Sequence, residues 1–229
     1  AVMKPTALTL NVLVALVAER KPASVDFFPL TVEYRENMAA AGRVPGNYFR
    51  REARASEGEV LSSRLIDRSI RPLFPDAFRC ETQITAQVLS YDPETDPAIL
   101  GILGASAALM ISEVPWEGPV AGARIARANG RWVAFPSPAE LETSDVDLVV
   151  TASGNGGLVM VEGEAKEVPE EEILAALAFA EEALRPANDL LRELAKVAGR
   201  PKRAALAPAV DPALEAAVAV WQPRIEESL

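Results

Sequence analysis

From Leu8 to Ala18 the run LTLNVLVALVA is almost wholly apolar and then stops at Glu19-Arg20-Lys21-Pro22. Crossing a bilayer takes about 20 apolar residues, so the run is too short for a membrane span. Its length and Lys4 would also fit a secretory leader, but the β-branched Val12, Val14 and Val17 favour a buried strand. Asp26-Phe-Phe-Pro-Leu-Thr-Val-Glu-Tyr reads as a second strand, with Leu30, Val32 and Tyr34 on one face. Residues 36–55 lose periodicity and carry Gly42, Pro45 and Gly46, which predicts a long exposed loop. Ser56 and Glu59 then form a capping box ahead of Val60, Leu61, Leu65 and Ile66, so a helix starts there.

Alternation over 82–90 predicts another strand, and Asp96-Pro97 opens a helix rich in Gly and Ala, small enough to pack centrally. Residues 120–128 and 131–135 flank Asn129-Gly130, a strong hairpin signal. Ser137 and Glu140 repeat the capping box for a short helix. A second hairpin joins 147–152 to 158–162 through Gly154-Asn-Gly-Gly; a phosphate cradle would look similar, but a turn between Val-rich strands is the simpler reading. From Pro169 the apolar residues Ile173, Leu177, Ala180, Leu184, Ala187, Leu191 and Leu194 step by four and three, predicting a long helix that Pro186 kinks without ending. An Ala/Pro-rich stretch to Val210 reads as a linker, and Asp211-Pro212 opens a further helix. This order of elements is an α+β pattern with a mixed sheet.

Composition narrows the chemistry. With no His and one Cys among 229 residues, His-based acid/base systems, Ser/His/Asp and Cys/His nucleophiles and Cys/His zinc sites are excluded for this sequence. No disulfide can form within it. The net charge of −10 argues against a polyanion partner only if charge is averaged over the surface. Between Arg43 and Arg71 seven arginines face four acids and no lysine, a local +3, while the rest of the chain carries −13. Arginine without lysine points to planar, two-pronged recognition of phosphate or carboxylate. Arg64, Arg68 and Arg71 are spaced to give the helix after Ser56 one cationic face. Before it, Tyr48 and Phe49 adjoin Arg50 and Arg51, with Arg54 just behind. Two aromatics beside two arginines offer stacking faces for bases and forks for phosphates. The same aromatics would equally serve as core plugs, and Asp67 or Glu59 could hold any of the helix arginines in a salt bridge. Glu162, Glu164 and Glu167 read as a strand end and a solvated helix start rather than a cation site.

The segment GRVPGNYFRREARASEGEVLSSRLIDRSIRPLFPDAF closely resembles the first ribonuclease-PH-like core domain of the polynucleotide phosphorylase family. DFFPLTVEYRE, ILGASAAL, VPWEGPVAGARI, DLVVTAS and VMVEGEAKEV continue the match in order, over about Asp26 to Lys202. The resemblance implies an α+β, ribonuclease-PH-like core of mixed sheets and helices over 1–200, with 201–229 the linker and start of an α-helical domain. It implies a homotrimeric ring that threads single-stranded RNA, and attack of inorganic phosphate on the 3′-terminal phosphodiester to release a nucleoside diphosphate. By the same resemblance Tyr48, Phe49, Arg50, Arg51 and Arg54 grip RNA in the channel, and Arg64, Arg68 and Arg71 form an arginine helix towards it.

Two departures qualify the match. Ala1 to Leu10 does not resemble the Gly-Asp-Thr element that precedes the first strand in the family, and the family's second core domain, which holds its Mg2+-binding acids, catalytic lysine and phosphate-binding serine, is not in this sequence. No catalytic residue and no metal ligand is therefore nominated here, and the 229 residues alone are expected to be inactive. A catalytically silent RNA-binding or scaffold subunit of an exosome-like ring is the rival expectation. A cytoplasmic setting without a membrane partner is expected, with a mitochondrial or plastid one as the alternative, and RNA-degradation proteins as further partners.

Overall fold

The computed structural model describes residues 10–44, 54–204 and 212–226. Three strands, β1 (Asn11–Pro22), β2 (Leu30–Glu36) and β3 (Cys80–Ser90), form a mixed sheet in the order β1-β3-β2, with β1 antiparallel and β2 parallel to β3. The second sheet is antiparallel throughout, in the order β5-β4-β6-β7, from β4 (Val120–Ala128), β5 (Arg131–Ala134), β6 (Val146–Ser153) and β7 (Leu158–Ala165). The α+β expectation and both hairpins hold. Asn129 and Gly130 each take positive φ in the first hairpin turn, as an Asn-Gly pair permits.

Helix α1 (Glu57–Ile70) begins where the capping box places it: Ser56 Oγ accepts from the Glu59 N–H at 3.2 Å and Glu59 Oε2 from the Ser56 N–H at 2.6 Å. Helix α2 (Pro97–Ile111) is central, packing on β1 and β3 of one sheet and β4 of the other. Its glycines allow this closeness, since a Cβ at Gly104 would lie 2.5 Å from Val14 Cγ2. Short α3 (Pro138–Thr143) follows its own capping box. Helix α4 (Glu170–Ala198) runs through Pro186 and lays Ala176, Ala180 and Leu184 on Ala121, Ala123, Ile125, Leu148 and Val150 of the second sheet. Residues 200–204 turn back onto the end of α2, where Lys202 Nζ donates to the carbonyls of Leu109, Met110 and Ser112 at 2.6, 3.2 and 3.0 Å. This caps orphan carbonyls with a cation where the helix dipole favours one. Helices α5 (Pro212–Ala219) and α6 (Gln222–Glu226) expose Leu214, Val218 and Ile225, and the turn between them exposes Trp221.

Two strand expectations need correction. The first strand is not buried: β1 is a sheet edge whose Val12, Val14 and Leu16 pack inward while Leu13 and Val17 stand 54% and 67% exposed. Only one of its faces meets α2. The second strand starts at Leu30 rather than Asp26, because Phe28 leaves the sheet to join Phe74 and Phe78, with ring centroids 4.6 and 5.4 Å away. The expected loop over 36–55 includes a short 3₁₀ turn, Met38–Ala41, pinned by the Tyr91 N–H to Ala40 O at 3.0 Å; residues 45–53 lie outside the described residues.

Glu59 also ties α1 to the neighbouring sheet, because its Oε1 accepts the Glu36 N–H at 2.9 Å. Burial pushes its carboxyl up, but the N–H groups of Glu36 and Ser56, the Ser56 hydroxyl and the Arg35 charge outweigh it, so Glu59 ionises below the usual carboxylate range. A carboxyl with a lowered folded pKa stabilises above its unfolded value and loses that contribution as pH falls through the folded one. Melting of wild type and Glu59→Gln over a pH series should therefore show the largest gap above about pH 5 and a shrinking gap towards pH 3. A gap unchanged across that range would contradict the role given to this carboxylate.

Candidate nucleic-acid interface

The arginines of α1 divide by what the fold does with them. Arg64 and Arg68, one turn apart, are both exposed on the same face. No ion pair reaches Arg64 among the described residues. Arg68 Nη1 donates to Glu162 Oε2 on β7, an exposed pair with side chains 49% and 44% accessible. Arg54, two residues ahead of the Ser56 cap, is exposed. Tyr48, Phe49, Arg50 and Arg51 lie outside the described residues; the chain re-enters them at Arg54, directly before α1.

Arg71 is different. It follows α1, and its guanidinium binds Asp67 through both carboxylate oxygens, at 2.9 Å from Nε and 2.6 Å from Nη2. The same group donates to the carbonyls of Phe28 at 3.3 Å and Leu30 at 3.1 Å, and lies 5.8 Å from the Phe28 ring centre. Four hydrogen bonds inside the fold leave little of the fork for a ligand. Arg71 fixes the end of α1 against the entry of β2, and so aims the face that carries Arg64 and Arg68. Asp67 is thus the salt-bridge partner of Arg71, whereas Glu59 is occupied by backbone N–H groups. The partner of Arg68, Glu162, lies 94 residues away in the chain.

Between α1 and β2 runs a groove of about 480 Å³, lined among others by Arg35, Arg64 and Arg71 with Ala55 beside them. Ser63 Oγ accepts the Tyr34 N–H at 3.0 Å along this groove, so α1 is hydrogen-bonded to the strand edge as well as packed on it. Arg35, which the sequence did not single out, has its Nη1 buried without a hydrogen-bond partner. Its position in a strand between Tyr34 and Glu36 gave no signal beyond charge.

Acids gather at two other places, and in each the centre is already a cation. Arg124 binds Asp147 through Nε at 2.7 Å and Nη2 at 2.6 Å, and Asp96, the cap of α2, through Nη1 at 3.0 Å. The hydrogen bonds that Arg124 donates to Asp147 outweigh burial and hold its guanidinium firmly charged. Arg127 sits likewise between Asp145 and Glu172. Among the described residues no group of three or more metal-ligating acids or thiols converges. At these two places a guanidinium stands between the acids from different elements, so neither fits a Mg2+ ion.

Residues 9–115 match the profile of the 3′ exoribonuclease family, domain 1, and residues 118–183 that of the same family's domain 2. The division falls between the first sheet with α1 and α2 and the second sheet with α4. The chain belongs to the 3′ exoribonuclease family, the ribonuclease-PH fold. Its similar curated relatives carry the name polyribonucleotide nucleotidyltransferase: that of Sorangium cellulosum is 49% identical over 208 residues, covering 91% of this chain and 27% of the relative. Those of Geobacter sp. strain M21 and Desulfotalea psychrophila are 47% and 51% identical, covering 96% and 90% of this chain and 31% and 30% of their own lengths. The chain thus spans about three-tenths of the curated relatives it matches.

Proposed function

We propose that this chain is the RNA-gripping part of a polyribonucleotide nucleotidyltransferase, a phosphorolytic 3′→5′ exoribonuclease that uses inorganic phosphate and releases nucleoside diphosphates. The observation that carries the reading is the exposed Arg64–Arg68 face of α1, aimed by the Arg71–Asp67 clamp and continuous in sequence with the Arg-rich segment ending at Arg54. In an acidic protein such a face has a specific use, because guanidinium forks bind phosphates and the surrounding negative charge disfavours indiscriminate polyanion binding. Arg54, Arg64 and Arg68 contact the phosphate backbone, Tyr48 and Phe49 stack on bases, Arg50 and Arg51 hold the adjoining phosphates, and Arg71 acts by positioning α1. The reading extends to a homotrimeric ring with the RNA in its channel, to a cytoplasmic setting, and to Mg2+ held by residues other than those of this chain. No described helix is long and apolar enough to cross a membrane.

Titrating a labelled single-stranded oligo(A) with the chain at several salt concentrations tests it. Arg64→Ala should flatten the dependence of log affinity on log salt by about 0.7, the value of one lost single-strand phosphate contact. An Arg64→Ala slope equal to wild type, or no affinity for the oligonucleotide at low salt, would contradict the reading.

A further inference from the structure

We infer that Glu162 is an internal stand-in for RNA phosphate, occupying Arg68 until the nucleic acid displaces it. The inference rests on the proposed RNA-binding face and adds a residue that sets its affinity. Arg68 leaves α1 and crosses to β7, the edge strand of the second sheet, where its Nη1 donates to Glu162 Oε2. The contact joins the two sheets' territories at the surface, with Ser69 Oγ 3.8 Å from Met160 Sδ holding α1 and β7 together beneath it. Because both side chains are about half exposed, the pair adds little to folding stability. Its consequence lies in competition. A carboxylate offers the guanidinium the same planar oxygen pair as a phosphate, and a tethered carboxylate is present at high local concentration.

Arg64, one turn earlier on the same face, is bound by no acid among the described residues, so the two arginines meet RNA under different terms. A phosphate reaching Arg64 releases condensed counterions in full. A phosphate reaching Arg68 must first free Glu162, which then attracts a cation from solution and cancels much of that release. Arg68 is therefore the contact whose contribution is held in reserve, and Glu162 limits how tightly the face holds a strand that must slide.

The test is oligo(A) titration across a salt series with Glu162→Gln, Arg68→Ala, the double variant, and Glu164→Gln as a control on the same strand. Glu164 is exposed and makes no bond to Arg68. Glu162→Gln should tighten binding by up to about fivefold, the fold-change of an exposed ion pair, and steepen the salt slope by about 0.7. In the Arg68→Ala background Glu162→Gln should do neither, and Glu164→Gln should leave the slope unchanged. Equal tightening by Glu162→Gln with and without Arg68 would overturn the inference in favour of a general charge effect. Weaker binding by Glu162→Gln, with Arg68→Ala also weak, would overturn it by making Glu162 a support that orients Arg68, while leaving the RNA face intact. If Arg68→Ala changes nothing, the inference fails, and Arg64→Ala then tells whether the RNA face fails with it.

Discussion

Changing Arg50 and Arg51 together to Ala should flatten the salt dependence of single-stranded RNA binding by about 1.4, twice the slope of one single-strand phosphate contact, while leaving the melting temperature nearly unmoved. The two sides of this expectation come from opposite demands on the same residue type. An arginine that holds phosphate must keep its fork open, whereas one that holds the fold together, as Arg71 does, has its donors filled by Asp67 and two backbone carbonyls. Tyr48→Ala or Phe49→Ala should cost on the order of 1–3 kcal/mol of binding for each base that stacks, with little preference among bases. If those rings instead plug the core, their removal would cost about 3–5 kcal/mol of folding stability and spare the salt slope. Melting and RNA titration on the same three variants separate the two.

The largest effect on the fold should come from Gly163→Ala. Gly163 on β7 faces Leu148 on β6, and a Cβ there would meet the Asp147 carbonyl oxygen and lie 2.8 Å from Leu148 Cα. Both obstacles are backbone, which cannot swing aside as a side chain tip does. The variant must part β6 from β7, and β7 supplies buried Met160 and the Glu162 partner of Arg68. Overpacking of this kind costs about 1–3 kcal/mol or more. At this chain length each kcal/mol moves the melting temperature by roughly 2–4 °C, so a fall of about 6–12 °C is expected for a loss near 3 kcal/mol. Gly58→Ala is the internal contrast: its Cβ would meet nothing within 4 Å, and it sits in α1, so melting should rise by up to about 1 kcal/mol equivalent. A Gly163→Ala protein that melts like wild type would mean the β6–β7 pairing is wrong.

What the sequence shows of this molecule is what short-range chemistry determines. Ser56 with Glu59, Asn129 with Gly130, and Asp96 before Pro97 each act within four residues, and each stands where the pattern places it. The exposure of β1 was not legible, because Val12 and Leu13 are apolar on opposite faces and an apolar run cannot say that only one face is covered. Nor was Glu162, whose partner lies on a helix 94 residues earlier; as one of three nearby glutamates it reads as solvated surface. Arg124 and Asp147 did leave a trace, Asp147 as the one charge of β6 and Arg124 as one of two arginines in a β4 otherwise made of apolar and small residues, and such charges need a partner across the sheet. For Arg64, Arg68 and Arg71 the spacing gave the common face, but only the tertiary contacts distinguish an open fork from a filled one.

The central claim, that RNA lies on the segment from Arg43 through Arg71, is tested most directly by ultraviolet crosslinking of a single-stranded RNA to the chain, with the crosslinked peptides identified by mass spectrometry. The account predicts crosslinks in peptides carrying Tyr48, Phe49 and the Arg64–Arg68 turn of α1, diminished when Arg64 and Arg68 are both changed to Ala. Crosslinks confined to α4 and the second sheet, with that segment clean, would contradict it.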